Sequence, residues 1–242
     1  MSLAEPDTTT DREPTTEQAV TINILKGGEG KSSLALNIAD RLSVRDYDVL
    51  FVDLDPNGHI TRGLEFDEVY NDPTHDLANT VIHEHTPPEE WTYETDWEWD
   101  FLPASQKHGA LERSLQNSAD LTLLRDNLIR PFFDEAEYDY IITDGGGEYS
   151  MIGRSTYVAT GQTMLPVTPG VESMSGLRQT FKRIINPIQE KINLDVLAVI
   201  PNRISNRIDY QYADRELLEK LNRSEKFSKR VTNFARITPE QL

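Results

Sequence analysis

The chain has 242 residues, of which 37% are hydrophobic, and this size suits one large α/β domain with a sizeable core rather than two domains. The sequence contains no apolar run of about 18 residues that could span a membrane, no basic and apolar start typical of a signal peptide, and no cysteine for disulfides, thiolate zinc sites or iron–sulfur clusters. The 41 acidic and 24 basic residues leave a net charge of −17, which favours adaptation to a salt-rich cytoplasm over an ordinary acidic cytosolic protein and does not by itself indicate nucleic-acid binding.

The predicted elements alternate between apolar strands and helices. Residues 1–17 are rich in Thr, Pro and Glu without apolar periodicity, so they are predicted to be a disordered tail, and 18–242 a single domain. A strand at residues 19–25 precedes a helix at 32–45 and a second strand at 49–53. Further strands are predicted at residues 101–103, 138–144, 163–167 and 196–201, and helices near residues 77–82, 120–136, 173–191 and 210–221. This alternation predicts a three-layer α/β sandwich, a mostly parallel doubly wound sheet with helices on both faces.

Two histidines in the acidic segment that follows the helix at 77–82 raise the question of a metal site. His83 and His85 are separated by one residue in a predicted loop. Because this spacing on a loop is a weak metal-binding pattern, we interpret them as surface histidines.

A glycine-rich segment with two lysines, KGGEGKSS, lies between the first strand and the first helix. Its glycines let backbone N–H groups converge on phosphate oxygens, and the start of the helix adds free N–H groups and its dipole. Lys31 can reach the β- and γ-phosphates, and the Ser32 hydroxyl can complete a Mg²⁺ shell. Leu25 stands where the general phosphate-loop pattern has Gly, so the match is to a variant form. The segment predicts ATP and Mg²⁺ as cofactors, with contacts to the nucleotide from Gly27, Gly28, Glu29, Gly30, Lys31, Ser32 and Ser33.

This variant resembles the deviant Walker A loop, KGG-x-GK-[ST]-[ST], of the ParA/MinD superfamily of P-loop ATPases. In that family the first lysine reaches across a dimer interface to the partner's nucleotide, so the resemblance implies that Lys26 acts in catalysis together with Lys31. The resemblance runs in order from about Val20 to Ile237 and is closest to the ParA-type partitioning ATPases. The family has one more helix after this point, so we expect either that this helix is absent or that the chain is truncated.

Three aspartates lie at or just after the carboxyl ends of predicted strands. Asp53 ends the second strand beside the glycine-rich loop, where its carboxylate can hold Mg²⁺ through water, and Asp55 is suited to positioning a water molecule. The surrounding sequence VLFVDLDPNG resembles the family's V-L-x-[IV]-D-x-D-P-Q-G pattern with Asn57 in place of Gln, which implies that Asp55 is the catalytic aspartate. The sequence YDYIITD resembles the family's Walker B strand, which implies that its last residue, Asp144, is a second carboxylate on the metal side.

Two positions leave alternatives open. The family usually has two prolines shortly after the Walker B aspartate, whereas this chain has Gly145–Gly147, which either sense phosphate through their amides or form a flexible linker. Asn202 follows the strand VLAVIP at the place where many relatives read adenine with an Asn side chain, but Asn after Pro is also a common turn residue.

The resemblance implies an ATPase that forms an ATP-sandwich homodimer, cycles on a DNA (nucleoid) surface and partitions or positions DNA or other cargo with a ParB-like activating adaptor. The alternative is a MinD-like membrane-associated ATPase, but residues 233–242 lack the amphipathic helix of that branch, so membrane binding is not expected. A metabolic ligase or kinase with the same fold also remains open. We expect a cytoplasmic protein that associates with the nucleoid when ATP is bound.

Nonspecific DNA binding is a further implication of the resemblance. Arg207 and Arg236 fall where relatives carry basic side chains that contact DNA. The alternative is that both are surface arginines that pair with a very acidic surface.

Overall fold

The computed structural model describes residues 18–82, 91–136, 138–146, 149–205 and 212–231. The predicted tail, His83, His85, Gly147, Arg207 and Arg236 lie outside the described residues. Within them, six parallel strands form a sheet, and the strands are β1 (Gln18–Ile22), β2 (Val49–Asp53), β3 (Asp100–Leu102), β4 (Tyr140–Asp144), β5 (Gln162–Val167) and β6 (Asp195–Pro201).

Helices connect the strands. They are α1 (Lys31–Ser43), α2 (His59–Gly63), α3 (Asp67–Asn71), α4 (Leu77–Ile82), α5 (His108–Ser118), α6 (Arg130–Ala136), α7 (Met151–Thr160), α8 (Val171–Thr180), α9 (Asn186–Gln189) and α10 (Tyr212–Arg223). A π-helical segment, Arg125–Ile129, leads into α6, and a second one, Phe181–Ile185, joins α8 to α9. None of the helices in the described part of the chain combines the length and the apolar character that a membrane span requires.

The strand order is β3-β2-β4-β1-β5-β6: after β1 the chain forms β2 and β3 on one side, returns to place β4 between β2 and β1, and then adds β5 and β6 on the other side. Asp144 at the end of β4 pairs in register with Ile22 of β1 and with Asp53 of β2. The carboxyl ends of these three strands therefore lie side by side. In open parallel sheets, ligands bind at the carboxyl ends where the strand order changes direction.

Apolar side chains alternate between the two faces of the sheet. Val49 and Phe51 of β2 pack with Ala35 and Ala39 of α1 in one cluster. The other face of β2 joins a cluster with residues of α5 and α7. Because helices cover both faces, the predicted three-layer α/β sandwich with a doubly wound sheet is confirmed, and the sheet is parallel throughout the described strands.

Several elements differ from the sequence-based prediction. The helices α5 and α7 were not predicted, and eight of the ten residues of α7 are buried, so this helix lacks the polar face that normally gives a helical pattern. The predicted strand at residues 19–25 ends at Ile22, since Leu25 N–H donates to the Thr180 hydroxyl instead of continuing the ladder.

Candidate nucleotide site

The glycine-rich loop joins β1 to α1 at the carboxyl edge of the sheet. Gly28 and Gly30 have φ angles of 82° and 77°, a left-handed backbone that side-chain-bearing residues rarely adopt. Helix α1 begins at Lys31 without a side-chain cap, and its first internal bond runs from Leu34 N–H to the Gly30 carbonyl. The amides of the first turn are therefore available to an anion.

A cavity of about 480 Å³ lies over this loop. Lys31 is nearly buried, and its Nζ atom donates to the Lys26 carbonyl at 3.3 Å, so its ammonium group is folded back over the loop. The cavity is lined by Gly27, Gly28, Gly30, Lys31, Ser32, Ser33, Asp55, Asn57, His59 and Arg203. Every predicted phosphate-loop contact except Glu29 is thus part of the cavity wall.

Asp144 and Asp53 are buried beneath this cavity. The Ser32 hydroxyl donates to Asp144 Oδ2 at 2.5 Å, whereas Asp144 Oδ1 is buried and has no hydrogen-bond partner among the described residues. Burial raises the pKa of Asp144 to about 6, against the opposing effects of Ser32 and Lys31. Burial and the charge of Asp144 raise the pKa of Asp53 to about 7, although its carboxylate accepts three hydrogen bonds, from Asp55 N–H at 3.0 Å and from the N–H and hydroxyl of Thr61 at 3.1 and 2.7 Å.

These groups fit a Mg²⁺ ion that is held jointly with phosphate. Hydroxyl and carboxylate oxygens are the ligands that Mg²⁺ prefers, and the free oxygen of Asp144 can supply one next to Ser32. Both oxygens of Asp53 already accept hydrogen bonds, so it would act through water. Among the described residues, no three His, Asp or Glu side chains form a metal cluster by themselves, and Mg²⁺ sites commonly rely on phosphate and water for their remaining ligands.

Asp55 lies at the cavity wall beyond the end of β2. Its Oδ1 atom accepts hydrogen bonds from the backbone and side-chain N–H groups of Asn57, both at 2.9 Å. Asp55 Oδ2 has no hydrogen-bond partner among the described residues, so it can accept a hydrogen bond from a molecule in the cavity. The loop after β4 passes close by, since a Cβ atom on Gly146 would lie 3.6 Å from Asp55 Cα.

Lys26 does not line the cavity of its own chain. Its Nζ atom forms an ion pair with Glu172 Oε2 at 2.7 Å, in the first turn of α8. This hydrogen bond and the opposite charges raise the pKa of Lys26 and lower that of Glu172. The lysine also packs tightly on α8, because a Cβ atom on Gly176 would lie 2.8 Å from Lys26 Cβ.

Comparison with known proteins agrees with this arrangement. Residues 17–198 match AAA_31, a family described as an AAA domain. The chain belongs to this family. It is 26% identical over 180 residues to the cell division protein PomZ of Myxococcus xanthus, covering 73% of the chain and 54% of PomZ. It is 25% identical over 183 residues to the chromosome partitioning protein ParA of the same organism, covering 75% of the chain and 62% of that ParA.

The relatives place this AAA_31 member in the ParA/MinD superfamily, close to the ParA-type partitioning ATPases, which confirms the predicted family. The matched part of the chain spans between about half and two thirds of these two bacterial relatives. Two solved structures share the fold. Apo McdA of Cyanothece has a TM-score of 0.74 and 21% sequence identity, and the match covers 88% of this chain and 89% of McdA. A cobyrinic acid a,c-diamide synthase of Mycobacterium smegmatis with bound ADP and magnesium has a TM-score of 0.73 and 22% identity, and the match covers 87% of this chain and 83% of the synthase.

In this family member, the side chain of Glu29 points away from the cavity. Its buried carboxylate accepts hydrogen bonds from the N–H and hydroxyl of Thr168 at 2.6 and 2.8 Å and from the Ser173 hydroxyl at 2.7 Å. Any contact of Glu29 with a nucleotide would therefore come from its backbone. Asn202 lies on the other side of the same residue, with its Nδ2 atom donating to the Glu29 carbonyl at 2.9 Å.

Close packing explains the glycine that follows the Walker B aspartate. A Cβ atom on Gly145 would lie 2.5 Å from Asn23 Nδ2, and Asn23 Nδ2 donates to the Gly145 carbonyl at 3.4 Å. Gly146 has a φ angle of 64°, which excludes proline at this position. The backbone therefore does not accept a proline at position 146, and Gly145 packs directly on Asn23, so these two glycines are more than a flexible linker.

Two further cavity residues, His59 and Arg203, were not predicted from the sequence. His59 begins α2, immediately after the segment that contains the Asp55–Asn57 turn, and Arg203 directly follows Asn202. The sequence could have indicated them only by their proximity to predicted site residues, since each lies within two residues of Asn57 or Asn202.

Proposed function

We propose that the protein is a Mg²⁺-dependent ATPase that forms an ATP-sandwich homodimer on DNA and partitions or positions DNA or other cargo. The supporting observation is the convergence of Lys31, Ser32, Asp55 and Asp144 around one cavity, in a chain whose relatives include partitioning and cell-division proteins.

The phosphate loop would bind the nucleotide. The free amides at the start of α1 and the ammonium group of Lys31 would contact the phosphate oxygens. Ser32 and Asp144 would hold Mg²⁺, which supplies positive charge to the β- and γ-phosphates as the leaving oxygen becomes more negative. Asp53 would accept the hydrogen bond from Asp55 N–H and would contact the metal ion through a water molecule.

Asp55 would orient the attacking water. Because the two N–H groups of Asn57 fix Oδ1, the Oδ2 atom is left to accept a hydrogen bond from a water molecule in the cavity. Positioning of this kind contributes to phosphoryl transfer without covalent participation of the protein.

Lys26 would act on the nucleotide of the partner subunit. It lies outside its own cavity, and its exposed ion pair with Glu172 can exchange for another anion at small cost, since side chains of the pair are 35% and 83% exposed. Dimerisation would then supply each site with a second lysine.

DNA would be the surface on which the dimer assembles, through Arg207 and Arg236. Backbone binding falls with log[salt] at a slope of about −0.9 per phosphate contact, so four contacts per dimer would lose on the order of 10³–10⁴ in affinity for a tenfold rise in salt. In an acidic chain with net charge −17, two arginines per subunit would hold DNA weakly until dimerisation doubles the contacts.

The experiment uses the Asp55→Ala variant of the full chain. With Mg-ATP it is expected to accumulate as a dimer by light scattering, to lose ATP hydrolysis, and to bind a random DNA duplex by fluorescence anisotropy, with affinity that falls steeply across a KCl series. The control Asp195→Ala changes an exposed aspartate at the amino end of β6 and is expected to behave as the parent.

Hydrolysis at the parental rate in Asp55→Ala would remove Asp55 from the mechanism. A dimer that fails to bind DNA at low salt but binds vesicles containing anionic lipid would replace DNA with a membrane surface.

A further inference from the structure

Arg203 lines the nucleotide cavity just beyond the end of β6, and Asn202 directly precedes it. Asn202 is held to the neighbouring strand, with its N–H donating to the Val167 carbonyl at 2.7 Å. Its carboxamide is engaged at both ends: Nδ2 donates to the Glu29 carbonyl at 2.9 Å, and Oδ1 accepts from Arg203 N–H at 2.9 Å. A Cβ atom on Gly30 would overlap Asn202 Nδ2, so the loop packs directly on this amide.

Asn202 is tied to the phosphate loop and to residue 203 at the same time. A bidentate contact with the adenine edge uses both the carbonyl oxygen and the NH₂ group of the side chain. In Asn202 one N–H of the NH₂ group and one lone pair of the carbonyl oxygen are already used, so these two bonds fix the orientation of the amide. The same bonds suit a clamp between the end of β6 and the loop.

The side chain of Arg203, by contrast, is exposed at the cavity and available to a ligand. Its guanidinium has no hydrogen-bond or ion-pair partner among the described residues, and its Nε atom lies 3.9 Å from the position of a Cβ on Gly30. The residue has a φ angle of 56°, a left-handed backbone that an arginine rarely adopts and that the Asn202 bond holds in place. Of the ten residues that line the cavity, Lys31 and Arg203 are the two with a permanent positive charge.

The chemistry of the cavity calls for such a cation. Three aspartates, Asp53, Asp55 and Asp144, lie in or directly beneath the cavity of a chain with net charge −17, and a nucleoside triphosphate adds further negative charge. The planar fork of a guanidinium donates two parallel hydrogen bonds to phosphate oxygens.

We propose that Arg203 binds phosphate oxygens of the nucleotide and that Asn202 positions Arg203 and the phosphate loop. This inference rests on the proposed function, because it requires a nucleotide in the cavity.

The test measures dissociation constants for Mg-ATP, Mg-GTP and Mg-tripolyphosphate, the last of which has no base, by calorimetry at fixed salt. Arg203→Ala is expected to raise all three constants by a common factor of about ten or more. Arg203→Lys, which keeps the charge, is expected to recover part of this loss. The control Arg215→Ala removes an exposed arginine of α10 without contacts among the described residues, and should stay within about twofold of the parent.

Asn202→Ala is expected to weaken ATP and GTP binding by the same factor, so that the ratio of the two constants does not change. Thermal denaturation of the nucleotide-free variants checks that each is folded.

Three results would overturn the inference: unchanged nucleotide binding in Arg203→Ala, loss of ATP and GTP affinity with tripolyphosphate unaffected, or a selective loss of the ATP preference in Asn202→Ala. A parent protein that binds neither ATP nor tripolyphosphate would instead refute the proposed function.

Discussion

Thr61 of α2 links the two strand ends next to the nucleotide cavity, and its replacement by valine gives a sharp test of the buried network. The Thr61 hydroxyl donates to Asp53 Oδ2 at 2.7 Å and accepts from Ala104 N–H at 2.8 Å, and the three residues are fully buried. Thr61→Val keeps the shape of the side chain, so it creates almost no cavity. It removes both bonds at once and leaves a buried N–H and a buried carboxylate oxygen short of a partner.

The cost follows from these two losses. An orphaned buried N–H costs about 1–3 kcal/mol, and the hydrogen bond to Asp53 contributes about 1.5–3 kcal/mol at a pH above 7, where this carboxylate is ionised. We therefore expect the free energy of unfolding to fall by about 3–5 kcal/mol, and Tm to fall by about 10 °C, since about 1 kcal/mol shifts Tm by about 2–4 °C in a chain of this size. The Asp53 carboxylate would also be less firmly oriented, and so would the Asp55 N–H that donates to it.

Urea denaturation followed by circular dichroism measures this effect, and calorimetry with Mg-ATP follows the site. Thr61→Ser is the matched control: it keeps both hydrogen bonds and loses one methyl group, so it should cost only about 1 kcal/mol. A Thr61→Val protein as stable as Thr61→Ser would refute the reasoning, because it would show that the hydroxyl network contributes little.

The remaining predictions concern single side chains. Lys31→Ala is expected to abolish ATP binding measured by calorimetry in high-salt buffer with Mg²⁺, and near-parental affinity would contradict the assignment of the phosphate loop. Lys26→Ala is expected to bind one nucleotide per monomer without dimerising or hydrolysing it, whereas Glu172→Gln, which frees Lys26, should dimerise at lower ATP concentration by light scattering. Tyr157→Phe is expected to raise the free energy of unfolding by about 1 kcal/mol in urea denaturation, because the Tyr157 hydroxyl is buried without a partner among the described residues; a destabilised variant would indicate a missed partner.

Local patterns were sufficient to predict the centre of the site. The glycine-rich sequence between β1 and α1 is characteristic of a phosphate-binding loop. Asp53 and Asp144 each end an apolar strand, so a parallel sheet brings them to the same edge. In the structure Ser32 and Asp55 line the cavity, and Asp144 accepts a hydrogen bond from Ser32. Their catalytic and metal-binding roles remain predictions.

Long-range contacts account for what could not be predicted. A glutamate in a glycine-rich loop suggests an exposed side chain, yet Glu29 is buried by Thr168 and Ser173, which lie 139 and 144 residues further along the chain. The sequence leaves Asn202 open as either an adenine contact or a turn residue, and only the structure shows the bonds from its amide to the phosphate loop and to residue 203. No pattern of spacing carries that information.

The first turn of α8 has two links to the phosphate loop, and they differ in kind. Ser173 donates to the buried Glu29 carboxylate, a bond shielded from water and salt, whereas the neighbouring Glu172 pairs with Lys26 at the surface. An exposed pair of this sort exchanges readily for a competing anion, while loss of the Ser173 bond would leave Oε1 of the buried Glu29 carboxylate without a partner among the described residues. In the proposed dimer, Lys26 can therefore leave Glu172 for the partner's phosphates while Ser173 keeps α8 attached to the loop. A change of loop geometry on nucleotide binding would then be transmitted to α8 through Glu29, and the release of Lys26 would follow from competition by phosphate rather than from movement of the helix.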